Sequence, residues 1–187
     1  IDNADTGITL EGMESWGDAL ISNCIIKGKH TTGIAVAVNN YQPTVGRTAA
    51  HDVLIENCYV EIEDRDMTVY AQETTAVNIW VYGSDLPAPY NVTIKNCDIK
   101  GGIMRGIAVR GKNITIVNSS IGRGLRRNIW LSTGSYYKII NNIIHDSSVG
   151  IEASPIATID YVWILNNTFV NINVPLANVY VINNLVY

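Results

Sequence analysis

Hydrophobic and polar positions alternate in short bursts along this chain, and each burst breaks at an asparagine. From Asn91 to Gly101 the order is Asn-Val-Thr-Ile-Lys-Asn-Cys-Asp-Ile-Lys-Gly. Val92 and Ile94 alternate with polar residues, the period-two pattern of a strand with one buried face. Asn96 interrupts the alternation, and Cys97 and Ile99 resume it in a new direction. Asparagine tolerates left-handed backbone angles and hydrogen-bonds locally, so the segment predicts strand, one-residue corner, strand.

The same frame fits seven times, with corners at Asn23, Asn57, Asn96, Asn118, Asn141, Asn166 and Asn183. Two residues before each stands Ile21, Ile55, Ile94, Ile116, Ile139, Ile164 or Val181. Three after come Ile26, Val60, Ile99, Ile121, Ile144, Phe169 and Val186, and Ile1 with Asn3 forms a partial copy. Repeats of this length with strand periodicity predict a solenoid. A second column places Gly or Asn before an Ile-x-apolar unit, at Gly7, Gly33, Asn78, Gly106, Asn128, Gly150 and Asn171. A position that alternates Gly with Asn implies a backbone angle that branched residues resist. Three short strands per coil and coils ~4.8 Å apart make a parallel β-helix, all-β, of about seven coils. The corner asparagines are expected to stack inside it as an internal ladder.

With these asparagine-cornered repeats the chain resembles the right-handed pectate-lyase-like superfamily, the pectin lyase fold, over nearly its whole length. That resemblance implies right-handed coiling and polysaccharide chemistry. It carries no catalytic residues over. The Asn-Thr-Asp, Asp-Asp, Gly-His-Gly and Arg-Ile-Lys signatures of the pectin hydrolases are absent, and Thr31-Thr32-Gly33 is no substitute. The calcium and arginine signatures of the pectate lyases are likewise not recognisable.

Composition narrows the picture. The 187 residues predict a single domain spanning 1–187, and the 47 % hydrophobic content has one Phe and suits thin stacked strands. A formal charge of −4 argues against a general nucleic-acid binder, and no apolar run is long enough to span a membrane. Cys24, Cys58 and Cys97 each follow a corner asparagine, which predicts a column of small inward side chains rather than a disulfide framework. No converging set of metal ligands stands out, and the sequence names no cofactor. The chain starts and stops inside a coil, so it is expected to be a segment whose flanking domains continue or cap the solenoid. A secreted or cell-surface setting, bacterial in kind, is expected.

Insertions at Asn39–Asp52, Glu61–Thr75 and Gly83–Tyr90 cluster around coils two to four, where long loops on a rigid scaffold predict a groove. Its floor is read from the residues between the buried positions of the Gly-Ile strands. The first outward column is Thr9, Ala35, Trp80, Ala108, Trp130, Glu152, Asn173; the second includes Tyr82 and Arg110. Trp80 and Trp130 are expected roughly 10 Å apart, two coils, with a recess over Ala108. Exposed tryptophans are platforms for sugar rings, unless a loop covers them and they only extend the core. Arg105 and Arg127 share one position in adjacent coils, and stacked guanidiniums suit a carboxylate or sulfate. Pairing with loop acids Asp64, Asp66 or Glu73 is the plainer alternative. His145 and His30 are assigned to surface turns.

Three functions follow. The first is a lyase acting on an acidic polysaccharide by β-elimination, with Arg105 and Arg127 on the uronate carboxylate and Arg110 near the abstracted proton. The second is a glycoside hydrolase using Glu152 with a loop carboxylate. The third is a non-catalytic carbohydrate-binding β-helix of the adhesin or tailspike kind. Trp80, Tyr82, Arg127 and Trp130 are the expected substrate-binding residues, and an oligosaccharide or polysaccharide the expected partner.

Overall fold

A computed structural model describes residues 6–11, 17–28, 32–38, 49–63, 74–81, 88–101, 104–123, 126–156, 158–177 and 185–186. Among these every strand pairing is parallel, each strand bonding to its counterpart one coil away. Three faces result. The first stacks β1 (Thr6–Glu11), β4 (Thr32–Val38), β7 (Thr75–Val81), β10 (Arg105–Val109) and β13 (Arg127–Leu131). The second stacks β2 (Ala19–Ser22), β5 (His51–Glu56), β8 (Tyr90–Lys95), β11 (Lys112–Val117), β14 (Gly134–Ile140) and β16 (Ile159–Leu165). The third stacks β3 (Ile25–Gly28), β6 (Tyr59–Ile62), β9 (Asp98–Gly101) and β12 (Ser120–Gly122). In the later coils β15 (Ile143–Ala153) and β17 (Thr168–Ala177) run through from the third face into the first, and β18 (Leu185–Val186) pairs with β17.

The interior is built from columns of like residues. Ile34, Val77, Ile107, Ile129 and Ile151 succeed one another in register on the first face and are fully buried. On the third face Val60, Ile99, Ile121, Ile144 and Phe169 do the same. Each such side chain contributes about 1.5–3 kcal/mol through burial. Around the asparagine corners the strand frame read from the sequence is therefore the frame of the core.

The corner asparagines depart from expectation in one respect. Asn23, Asn57, Asn96, Asn118, Asn141 and Asn166 all take φ between 51° and 56°, as the corner requires. Their side chains, however, are exposed rather than inside the coil. The internal ladder is the next residue along: Cys24, Cys58, Cys97, Ser119, Asn142 and Asn167, of which all but the half-buried Cys24 are buried. The reason is directional. A left-handed residue turns the chain and points its own side chain out, so the following side chain swings in. From there the ladder reaches backbone groups. Cys58 Sγ donates to the Ile21 carbonyl at 3.6 Å, and Asn142 Nδ2 to the Ile116 carbonyl at 3.0 Å. Asn167 Nδ2 donates to the Ile139 carbonyl at 2.8 Å, while Asn142 Oδ1 accepts the Ser119 N–H at 2.9 Å. The three cysteines are free thiols in this column.

Register on the first face is corrected in two coils. Ile107 pairs with Val77 and Val109 with Ile79, so Ala76, not Asn78, stands in the Gly33–Gly106 column. In the last coil Ile151 pairs with Leu176 rather than with Ile172. Slips of two residues, as in β7, or four, as in β17, keep every side chain on its face, so alternation alone does not detect them. At the glycines of this column the neighbouring backbone comes close: a Cβ at Gly33 would collide with the Ala76 carbonyl and one at Gly106 with the Asn128 carbonyl.

Candidate functional site

The corrected register moves Trp80. The first outward column is Thr9, Ala35, Asn78, Ala108, Trp130, Glu152 and Ala177. Trp80 lies two residues further on, across from Ala37 and beside Arg110, whose N–H bonds to the Ile79 carbonyl at 2.8 Å. Trp80 and Trp130 are still two coils apart, offset diagonally across β10, but their rings lean together and leave no recess. Their rings stack, with centroids 5.1 Å apart and planes 22° off parallel. Ala108, next to Trp130 in the column, is fully buried, and its small side chain leaves the room in which the indoles meet.

Three arginines converge on this pair. Arg105 and Arg127 are register partners, as expected. The Arg105 guanidinium lies 3.9 Å from the Trp130 ring centre and that of Arg127 5.6 Å, while that of Arg110 lies 5.9 Å from the Trp80 ring centre. Indole faces attract such cations, by about 0.5–2 kcal/mol each according to solvation. Arg127 Nε also lies 2.6 Å from Glu152 Oε2, a close charge contact more than an aligned hydrogen bond. Arg127 is buried, and that burial pulls its guanidinium below the ordinary value while Glu152 opposes the shift. The face thus brings together Trp80, Trp130, Arg105, Arg110, Arg127 and Glu152. Tyr82 and most of the three insertions expected to wall the groove, with Asp64, Asp66 and Glu73, lie outside the described residues, as does His30.

A second constellation escaped the sequence reading. On the third face, residues two and four places after each corner asparagine point outward, giving columns Tyr59–Asp98–Ser120–Ile143 and Glu61–Lys100–Gly122–His145. Glu61 and Ile62 belong to β6 and not to an insertion, and His145 sits within β15, not in a turn. Tyr59 Oη donates to Glu61 Oε2 at 2.6 Å, and Lys100 Nζ pairs with Asp98 Oδ2 at 2.9 Å. Lys27 and Lys100 both stand 4.8 Å over the Tyr59 ring. A cleft of about 440 Å³ opens alongside, with Glu61, Glu63, Lys100, Arg123 and Asp146 in its lining. The corner frame itself was the signal for these residues, since it fixes which positions after each asparagine face solvent. Among the described residues no group of three or more His, Cys, Asp or Glu is placed to hold a metal ion.

Comparison with known proteins agrees with the coil geometry. The model of the family described as "Right handed beta helix region" matches residues 6–186. A search of the curated proteins finds no match. Parallel coils with three faces, stacked aliphatic columns and a family match over nearly the whole length lead to one conclusion: this chain belongs to the right-handed β-helix family.

Proposed function

We propose that this β-helix acts on an extended acidic polysaccharide along its first face, in a secreted or cell-surface setting, by β-elimination. The observation that carries the reading is the convergence of Arg105, Arg110 and Arg127 on the stacked Trp80–Trp130 pair. With indole faces taken up by one another and by guanidiniums, the indoles serve as a rigid floor that positions cations. Anion recognition is therefore favoured over ring-on-ring sugar stacking. Guanidinium forks match carboxylate and sulfate groups in a bidentate manner. Elimination passes the proton on the carbon next to a uronate carboxylate to a water molecule beside Arg110, and the displaced electron pair expels the glycosidic oxygen, which takes a proton from solvent. Arg105 and Arg127 on that carboxylate would stabilise the charge that develops on it, with Arg110 on the neighbouring column beside the proton.

Glycoside hydrolysis is less well supported. Glu152 is held against Arg127 at 2.6 Å, which suits a residue that positions a guanidinium better than one that donates a proton. The deciding experiment incubates the protein with uronate-rich, sulfated and neutral polysaccharides and follows ultraviolet absorbance and reducing ends together. New absorbance on uronate chains alone is the expected result. Reducing ends without absorbance would replace the lyase by a hydrolase. Neither signal, with binding retained, would make the protein a carbohydrate-binding module.

A further inference from the structure

Ser120, His145 and Asp146 form a hydrogen-bonded chain on the third face, away from the arginines. Ser120 Oγ lies 3.1 Å from His145 Nε2, and the opposite ring nitrogen, Nδ1, lies 2.9 Å from Asp146 Oδ2. The imidazole therefore has a hydroxyl on one nitrogen and a carboxylate on the other. Its seat is built by the preceding coil: Gly122 is the register partner of His145, and any Cβ there would collide with the ring. Asp146 is fixed too, at φ 53°, with Oδ1 accepting from Asn171 Nδ2 at 3.0 Å. The hydrogen bond from His145, with that from Asn171 second, holds its carboxyl below the usual carboxylate range. Ser120 and His145 are both partly open to solvent, and Asp146 borders the cleft of about 440 Å³ that also carries Lys100 and Arg123.

The molecule contains a comparison for this arrangement. His51 and Asp52 make the same contact, Nδ1 to Oδ2 at 2.6 Å, with Gly17 beneath the ring. There the imidazole stacks on Tyr90, centroids 4.8 Å apart, where His145 instead meets a serine. A His–Asp pair at a left-handed corner is thus a structural unit of this fold. Among the described residues, what distinguishes the second pair is the hydroxyl.

We propose that Ser120 is a nucleophile activated by His145 and oriented through Asp146, and that the third face hydrolyses small acyl esters, of the kind carried as O-acyl groups on polysaccharides. Ser120 Oγ adds to the ester carbonyl carbon while its proton passes to His145 Nε2. The tetrahedral adduct collapses, breaking the bond to the alcohol oxygen, which leaves with that proton. Water then attacks the acyl-serine, giving its proton to Nε2. Release of the carboxylic acid returns that proton to Oγ. Asp146 stabilises the imidazolium formed in each half; of the cleft's cations, Lys100 is paired with Asp98 at 2.9 Å and Arg123 with Glu61 at 3.6 Å. That the acyl group is borne on a sugar rests on the polysaccharide reading above; the relay itself does not.

The test treats the folded protein with a fluorophosphonate probe, maps the adduct by mass spectrometry, and follows p-nitrophenyl acetate hydrolysis. A single adduct on Ser120 is expected, lost in Ser120→Ala and reduced at least ~100-fold in rate in His145→Gln, the scale of general-base catalysis. His51→Gln should label and turn over like the unmodified protein. No adduct on the unmodified protein, an adduct elsewhere, or ester turnover that survives Ser120→Ala would overturn the proposal. Because no polysaccharide enters this assay, its failure would leave the reading of the arginine face standing.

Discussion

Side chains at positive φ set the shape of every coil, and each of the three corners satisfies that demand differently. At the corner before the second face the column is Asp18, Asp52, Asn91, Asn113, Tyr136 and Tyr161, with φ from 51° to 60°. Asn113 Nδ2 donates to Asn91 Oδ1 at 2.7 Å and Asn91 Nδ2 to Asp52 Oδ1 at 2.9 Å, forming an outer ladder. The tyrosines have no such bond, and a left-handed tyrosine costs about 1–2 kcal/mol. Ring stacking at 4.9 Å between Tyr136 and Tyr161 offsets part of that, aromatic pairs contributing about 0.5–1.5 kcal/mol. The same logic separates two kinds of asparagine. Asn96→Ala removes an exposed side chain whose one side-chain bond, to Asn57 Oδ1, is long at 3.4 Å, and should destabilise by about 1 kcal/mol, chiefly through the left-handed backbone. Asn142→Ala deprives the Ser119 N–H and the Ile116 carbonyl of a buried partner and should cost about 2–4 kcal/mol. Urea titration of both variants checks the order; an equal loss in the two would contradict it. Thiol reactivity follows burial as well. Cys58 and Cys97 are almost wholly buried and burial pushes both thiols up, so native alkylation by iodoacetamide should label Cys24 first. Peptide mapping after limited labelling reads this directly.

At the scale of the strand, the first face owes its character to where β7 sits against β10 and β13. With Val77, and not Ile79, opposite Ile107, Trp80 sits level with Arg110 and meets Trp130 obliquely across β10. Trp130→Ala removes the surface beneath Arg105 and Arg127 and should weaken binding of charged oligosaccharides by roughly tenfold, the loss of about 1.4 kcal/mol of positioning. Arg110→Ala should selectively lower affinity for charged chains and leave neutral ones unchanged, and added salt should imitate it by screening. Calorimetric titration of both variants against charged and neutral oligosaccharides measures this. Unchanged affinity in both would remove the first face as the site.

Across the whole molecule, uniform burial gives stability an alkaline limit. Burial pushes the Cys97 thiol from 9.0 up to about 11 and the Tyr137 hydroxyl from 10.0 up to about 12. The phenol is held by the Gly111 N–H at 3.2 Å and the Thr133 carbonyl at 3.1 Å, so its protonated form belongs to the fold. In the unfolded chain both groups lose protons at their ordinary values, so between those and the raised values the native state binds more protons. The stability from each group is fully present below its ordinary value and is lost as pH rises through its raised one. The loss is about 3 kcal/mol per group over the full window. Thermal melts between pH 8 and 11 should show a falling midpoint, and Cys97→Ser should flatten the part attributable to the thiol. A midpoint constant over that range would refute the linkage.

The sequence by itself determined the repeat, the three strands per coil, the aliphatic columns flanking each asparagine corner and the left-handed corners themselves. These depend on chemistry that recurs at fixed spacing, so each copy reinforces the others. Tertiary structure alone decided which residue of each corner points inward, because that turns on the direction a left-handed residue imparts to the next side chain. It also decided the register of β7 and β17, which differ from the sequence frame by two and four residues, because even-numbered slips preserve alternation and leave no mark in the sequence. Both candidate sites depend on that lateral registration. The Trp–Arg cluster is assembled from β7, β10 and β13, and the Ser120–His145 contact from β12 and β15. Their residues lie one or two coils apart in sequence, and they become neighbours only when the coils stack.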